Sequence, residues 1–482
     1  MEQLQQDEEI RAYVSSIEVT DRLDPRDSFF GGRTNAIRLY HETTEPGETI
    51  EYYDFTSLYP SVNKYAKYPI GHPTIVTSNF SDLSHYFGIA KVKVLPPRRL
   101  YHPVLPYLSN GKLKFPLCKQ CAETENQRSC ICTDSNRSMI GTWCTPELEL
   151  ARSKGYRILK IYEIYDFAET KIYDRQTGKG GLFDGYVNLF LKLKQEASGF
   201  PSECETEQQK MDYIADYAQK EGILLDYDQI RKNPGLRSLA KICLNSFWGK
   251  FGQRLNMKQT TFFTENEADK FFQLLSDPKK DVRDFHIINK NTVQTEHFDY
   301  PSFIPIDYKT NVFIASFTTC WARISLYKVL EKTDENTLYV DTDSVIFVDR
   351  NKQITNTLPI GNYLGELTNE ISTEDGYITH FVSGGPKNYA YRMVSGKEKC
   401  KVRGFSLQTK ANEELINFSA IRDIVVDKNR NSILTTNPRK ISRLGCKRKL
   451  YNRPEQKEYK MVYTKRRLLN DLSTLPFGYC SE

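Results

Sequence analysis

Three carboxylates stand where clustered negative charge could do chemistry. Asp54 ends the β-rich run 49–55 (TIEYYDF) and opens Asp54-Phe-Thr-Ser-Leu-Tyr-Pro-Ser, a strand that runs into a turn. Asp341 and Asp343 lie in Tyr339-Val-Asp-Thr-Asp-Ser, at the expected tip of the hairpin TLYVDTDSVIFV. Residues i and i+2 of extended chain point to one side, so the spacing predicts that Asp341 and Asp343 project together. Gathered carboxylates repel unless a cation neutralises them, and Mg²⁺ typically takes one or two carboxylates plus substrate phosphates. Two such ions can activate an attacking oxygen and stabilise a leaving one in phosphoryl transfer. Any one of these aspartates alone would be ordinary turn chemistry.

A third segment supplies cations and an aromatic plane. Asn233-Pro234-Gly235 is a helix start signal, and the sequence predicts a helix over 236–251. Leu236, Leu239, Ala240, Cys243, Leu244 and Phe247 form an apolar stripe at steps of three and four. Arg237, Lys241, Asn245 and Trp248 recur on another face, which offers charge for phosphates and a ring for a base, while Gly249 permits close approach. A solvated helix face is the plainer alternative.

Eleven cysteines include four, Cys118, Cys121, Cys130 and Cys132, within fifteen residues. The C-x₂-C plus C-x-C arrangement predicts one tetrahedral Zn²⁺ site in a reducing compartment rather than a disulfide framework. Cys144 is an alternative ligand, and four reduced thiols in a loop are the bland one.

These groups need a scaffold. A strand is expected at 88–96 and an irregular, cysteine-bearing stretch at 97–145. Helices are expected at 183–197, 206–222 and 312–331, with mixed strand and loop at 253–305. Strand and helix runs segregate, which predicts an α+β fold. Net charge is +6, yet residues 428–482 hold 14 Lys and Arg against 4 Asp and Glu, a balance of +10, which leaves −4 for the remainder. That basic segment, interleaved with Leu and Tyr, points to a polyanionic partner. The most apolar stretch, 311–330, carries Arg323 and hydroxyls, and the opening MEQLQQDEEIRAY is acidic, so neither a membrane span nor a secretory signal is expected.

Asp54 to Ser61, Lys241 to Gly249 and Tyr339 to Ser344 together resemble the DxxSLYPS, KxxxNSxYG and YxDTDS motifs of family B DNA polymerases, in the family's order. Trp248 departs from the family's usual Tyr. Lys387-Asn-Tyr389 resembles the KxY segment that contacts the primer strand. The segment Asp27-Ser-Phe-Phe-Gly-Gly-Arg-Thr resembles the junction before the polymerase domain in protein-primed members, closest to Maverick/Polinton transposons and adintoviruses.

The resemblance implies a right-hand architecture. A junction segment would occupy 1–48, the palm 49–96 and 306–395, and the fingers 183–252. Insertions of the terminal-protein-region type would occupy 97–182 and 253–305, and a basic thumb 396–482. No complete exonuclease domain is expected, hence no proofreading. Asp54 and Asp343 would hold two Mg²⁺ ions with Asp341 assisting, in a site that adds deoxynucleotides to a primer on a DNA template. Backbone amides around Ser57, Leu58 and Tyr59, with Lys194 and Lys241, would meet the triphosphate. Tyr59 would lie under the sugar, Asn245 and Trp248 would line the nascent base pair, and Lys387 and Tyr389 would contact DNA. A terminal protein could supply the first primer hydroxyl. The expected location is intracellular, in the nucleus or at a viral replication site. A reverse transcriptase is disfavoured by the spaced DTDS and the Asn-Ser helix, and a non-catalytic relic by three intact aspartates.

Overall fold

In the computed structural model the described residues are 21–304, 309–405, 407, 410–427, 432–444 and 449–480. The acidic opening, with Asp7, Glu8 and Glu9, lies outside them. The frame of the molecule is an antiparallel sheet of nine strands among the described residues. Its main path runs Thr34–Ala36, Thr337–Asp341, Ser344–Arg350, Glu48–Phe55, Ile378–Gly385, Asn388–Met393 and Glu398–Val402. Leu367–Asn369 and Tyr40–Glu42 pair off that path.

The sheet is buried on both faces because its strands alternate large apolar residues in both directions. Tyr53, Phe55, Val345 and Phe347 pack with Phe317, Leu326 and Val329 of the helix Val312–Thr333. Their neighbours Ile50, Tyr52, Ile346 and Val348 face the opposite way, toward Phe418, Ile421 and Ile424 of the helix Phe418–Val425. The period of two thus serves two cores, each apolar side chain contributing about 1.5–3 kcal/mol on full burial. The helix Val312–Thr333 has apolar residues around its whole circumference, as a core helix must. No helix among the described residues is long and apolar enough to cross a membrane.

A second sheet is ordered Thr74–Val76, Arg157–Asp166, Gly88–Leu95, Met139–Cys144. The expected division at residue 96 therefore runs through a sheet, since 88–95 pairs with strands from beyond it. The stretch 97–145, expected to be irregular, ends in one of these strands; Trp143 is buried with its indole N–H donated to Pro106 O (2.9 Å), a tertiary contact invisible to local pattern. Division at 396 likewise cuts the main sheet, because Glu398–Val402 pairs with Asn388–Met393.

Three helices form a separate cluster. Asp184–Glu196, Glu207–Glu221 and Pro234–Ser246 bury Val187, Leu191, Ile214, Tyr217 and Leu244 together. Thr206 and Gln209 close a capping box on the second, and Gly222 ends it at φ +68°. The third starts as predicted, with Asn233 accepting from Leu236 N–H (3.0 Å), but it stops at Ser246 and continues as a 3₁₀ turn, Trp248–Lys250. Its apolar stripe is only partly buried: Ala240 and Leu244 are covered, whereas Leu239 is 57% exposed and Leu236 also lies at the surface. Residues 253–305 hold a three-stranded sheet and a helix, Ala268–Ser276, that the mixed signal hid.

Candidate active site

Asp54 and Asp343 are brought together by strand register. Asp54 lies opposite Ser344 across the central pair of strands, and Asp343 O accepts from Phe55 N–H (2.7 Å). The two carboxylates line one cavity of about 620 Å³. Asp341 and Asp343 do not sit on extended chain as expected. Thr342 adopts φ +63° and Asp343 N–H donates to Asp341 O (2.6 Å), a three-residue turn in place of extended chain, yet Asp341 and Asp343 still line one cavity together, as the spacing predicts.

This turn is backed by the chain at 29–33. Thr342 N–H donates to Arg33 O (2.7 Å), and a Cβ on Gly32 would come within 2.7 Å of Thr342 Cγ2. Only glycine allows that approach. Beneath the loop, Arg323 donates to Phe30 O (2.9 Å) and Gly31 O (3.1 Å) while forking onto Glu147 (2.7 and 2.8 Å). Fully buried, the Arg323–Glu147 pair fixes the loop that holds the turn.

Burial, then the nearby Asp343 and Glu370, pushes the Asp54 carboxyl up to about 7, against the pull of Lys401 and Lys241. Burial, then Asp341, also raises Asp343. Asp341 has other company: Lys387 Nζ reaches both its oxygens (2.8 and 3.1 Å), and Thr34 Oγ1 donates to it (2.9 Å). Lys465 Nζ donates to Thr34 O (3.1 Å), and burial lowers it to about 8 against the attraction of Asp341. Asp341 thus anchors Lys387 at the rim of a cavity it shares with Asp54 and Asp343.

On the other side the cavity wall is cationic. Lys194, Arg237 and Lys241 line it from two helices, with Asn245. Lys194 Nζ donates to Ser57 Oγ (3.1 Å), and burial followed by the two neighbouring cations lowers its pKa. Ser57 sits at φ +54° and opens the helix Leu58–Tyr65, so the first-turn amides of Leu58 and Tyr59 begin a dipole that favours anions. Tyr59 stacks on Trp248 with centroids 4.5 Å apart and planes at 24°. Phe29 meets the Trp248 edge at 6.3 Å, and the buried Trp248 N–H has no acceptor. Trp248 is therefore half-buried, and its ring and that of Tyr59 both line the cavity of about 620 Å³.

An adjoining cavity of about 550 Å³ is lined by all three aspartates, Asp54, Asp341 and Asp343, with Lys387, Tyr389, Lys401 and Arg403. Tyr389 is buried among aromatics, its hydroxyl 3.0 Å from that of Tyr52, which in turn accepts from Lys401 Nζ (3.1 Å).

The family described as DNA polymerase type B, organellar and viral, matches over residues 7–336. The chain belongs to this family. It is 23% identical over 399 residues to a probable DNA polymerase of Neurospora intermedia, covering 80% of this chain and 33% of that protein. A DNA polymerase of Kluyveromyces lactis is 23% identical over 389 residues, covering 76% and 32%. The chain therefore spans about a third of the length of the curated relatives it matches. Among solved structures, phi29 DNA polymerase with primer-template DNA is similar at a TM-score of 0.53 and 14% identity, covering 89% of this chain and 61% of that one. Its ternary complex with incoming nucleotides gives 0.52. These likenesses establish a shared α+β fold.

In this type B chain the four expected cysteine ligands also converge: the Sγ atoms of Cys118, Cys121, Cys130 and Cys132 all lie within 4.8 Å of one another. Cys118 Sγ accepts from Cys121 N–H (3.4 Å) and Cys121 Sγ from Asn126 Nδ2 (3.4 Å). The Cys118 hydrogen bond, then that of Asn126 and those of the other thiols, draws Cys121 down to about 5 despite burial. Cys144 is not an alternative ligand, since it is buried in the main core beside Cys320. The sequence expectation missed Glu370, Lys401, Thr34 and Lys465, which reach the site only through strand pairing and the chain end. Phe29 stood in a recognised segment, but nothing local linked it to Trp248.

Proposed function

We propose that this chain performs template-directed DNA synthesis, adding deoxynucleotides to a primer 3′-hydroxyl. The observation that carries the reading is the convergence of Asp54 and Asp343 on a cavity whose opposite wall holds Lys194, Arg237 and Lys241. The donor set fits Mg²⁺: hard oxygens only, on two carboxyls raised first by burial and then by neighbouring carboxylates, a cost that a bound divalent cation would offset. Two ions held by Asp54 and Asp343 would polarise the primer hydroxyl and offset charge on the leaving phosphates.

The remaining work falls to the chain itself. Lys194 and Lys241, with the Leu58 and Tyr59 amides and Ser57, bind and orient the triphosphate. Tyr59 packs beneath the deoxyribose and Trp248 with Asn245 borders the new base pair. Lys387 and Tyr389 meet the primer strand, and Asp341 positions Lys387 rather than holding metal.

In this reading 49–96 and 306–395 act as palm, 183–252 as fingers and 396–482 as thumb, with 97–182 and 253–305 as insertions that would meet a terminal protein used as first primer. Its kinship would be with Maverick/Polinton and adintovirus polymerases. The free thiols suit a reducing compartment, nuclear or at a viral replication site, and the four clustered cysteines suit Zn²⁺. Primer extension on a DNA template with Mg²⁺ tests the reading. Wild-type protein should extend the primer and Asp343→Ala should not; preference for an RNA template, or extension that survives Asp343→Ala, would overturn it.

A further inference from the structure

Residues 463–480 form a strap between the cysteine cluster and the catalytic hairpin. On the cysteine side, Lys112 Nζ donates to Thr464 Oγ1 (2.7 Å) and Leu468 N–H to Gln127 Oε1 (2.9 Å). Leu117 N–H donates to Phe477 O (2.7 Å), and Cys480 Sγ donates to Cys130 O (3.4 Å). Gly478 lies at φ +93°, and a Cβ there would stand 2.4 Å from Cys118 Cβ, so the strap rests directly on the first cysteine. On the catalytic side, Tyr463 donates to Ala36 O (2.5 Å), Thr474 Oγ1 to Ile37 O (2.7 Å) and Lys465 to Thr34 O (3.1 Å). Thr34 is the residue that donates to Asp341.

What holds the strap on the cysteine side is a poor core. Its buried members are Cys118, Cys121, Ala122, Cys130, Phe477 and Cys480, so Phe477 is the one large apolar side chain among them. A core this small gives little burial free energy, and units of this kind are ordinarily stabilised by a crosslink or a metal. Four sulfurs already gathered within 4.8 Å, two of them accepting N–H groups, form a donor set for a soft tetrahedral ion.

We propose that the cysteine cluster is a metal clasp for this strap: one zinc ion bound by Cys118, Cys121, Cys130 and Cys132 holds residues 463–480 in place and so keeps Lys465 beside Asp341 and Lys387, where it contacts a backbone phosphate of the DNA. The metal then governs the grip on primer–template and leaves the chemical step to the aspartates. This rests on the polymerase reading for the identity of the polyanion, while the clasp itself is read without catalysis.

The test is hydrogen exchange of the Leu468 and Cys480 amides in zinc-loaded and zinc-stripped full-length protein, with the primer–template Kd measured on both. About one equivalent of zinc is expected. Stripping it should speed exchange at both amides by about tenfold or more and raise Kd by about fivefold, while kcat at saturating DNA stays within about twofold. Phe477→Ala, which keeps all four ligands and removes the strap's large apolar anchor, should retain zinc yet raise Kd to the same extent. Lys465→Ala should raise Kd with zinc content and exchange unchanged. Less than half an equivalent of zinc would overturn the metal. Full zinc with exchange indifferent to its removal, or a Phe477→Ala protein of unaltered Kd, would overturn the clasp. A zinc-loaded protein that shows the exchange response but never extends a primer would refute the polymerase reading and leave the clasp standing.

Discussion

Asp54→Asn should stabilise the Mg²⁺-free protein, by an amount that depends on pH in a defined direction. Asp54 is held at about 7 by burial first and by Asp343 and Glu370 next, against about 4 in an unfolded chain. A carboxyl raised in the folded state has its full stability below the unfolded pKa and loses it as pH rises through the folded one. About three units at 1.36 kcal/mol each give about 4 kcal/mol. Asp54 still touches solvent in the cavity, so screening reduces this to about 2 kcal/mol, a roughly thirtyfold change in the folding equilibrium. Asparagine keeps the shape and removes the charge. In equilibrium urea unfolding without divalent ions, wild type and Asp54→Asn should coincide near pH 4, diverge between pH 4 and 7, and stay about 2 kcal/mol apart above pH 7.5. Added Mg²⁺ at pH 8 should stabilise wild type and close the gap. Parallel curves at every pH, or a gap widest in acid, would refute the electrostatic account of the site.

Asp343→Ala should abolish nucleotide addition while leaving primer–template Kd within about threefold, since binding rests on Lys and Arg; a tenth of wild-type activity remaining would sink the assignment. Tyr59→Val removes the ring stacked on Trp248 and should raise the kcat/KM for ribonucleotides relative to deoxynucleotides; unchanged discrimination in a folded protein would make Tyr59 a packing residue only. Arg323→Leu leaves Glu147 charged and unpaired in the core and should cost about 3–5 kcal/mol in urea unfolding, with much of it recovered in Arg323→Leu/Glu147→Leu; a single-mutant loss below 1 kcal/mol would contradict the buried pair.

The carboxylates, the cysteine cluster and the helices at 184–196, 207–221 and 312–333 were legible because each depends on local order: motif spacing, a capping box, an apolar circumference. What escaped depends on chain segments far apart in sequence. Lys401 reaches Asp54 because Glu398–Val402 is three strands away in the same sheet, and no periodicity within 398–402 encodes that neighbour. The turn at Thr342 escaped for a different reason. The i, i+2 rule presumes extended chain, and a threonine at φ +63° is a conformation that local preference disfavours. It persists because Arg33 and the close approach of Gly32 define it from outside.

That strained turn explains why the chain at 27–34 belongs to the site. If the turn relaxed, Asp343 would lose its carbonyl contact to Phe55 N–H and with it the register that sets it beside Asp54. The restraint is layered: Gly32 and Arg33 press on Thr342, Arg323 grips the carbonyls of Phe30 and Gly31, and Glu147 orients Arg323. Its innermost members, Arg33, Arg323 and Glu147, are buried, so the restraint is anchored in the core. On the proposed reading, a site that admits a triphosphate on one side and keeps two carboxylates fixed on the other needs this asymmetry. The cations stand on two helices whose outer faces remain exposed, at Leu189 on one and at Leu239 and Ile242 on the other, whereas the aspartates stand on a sheet buried from both faces.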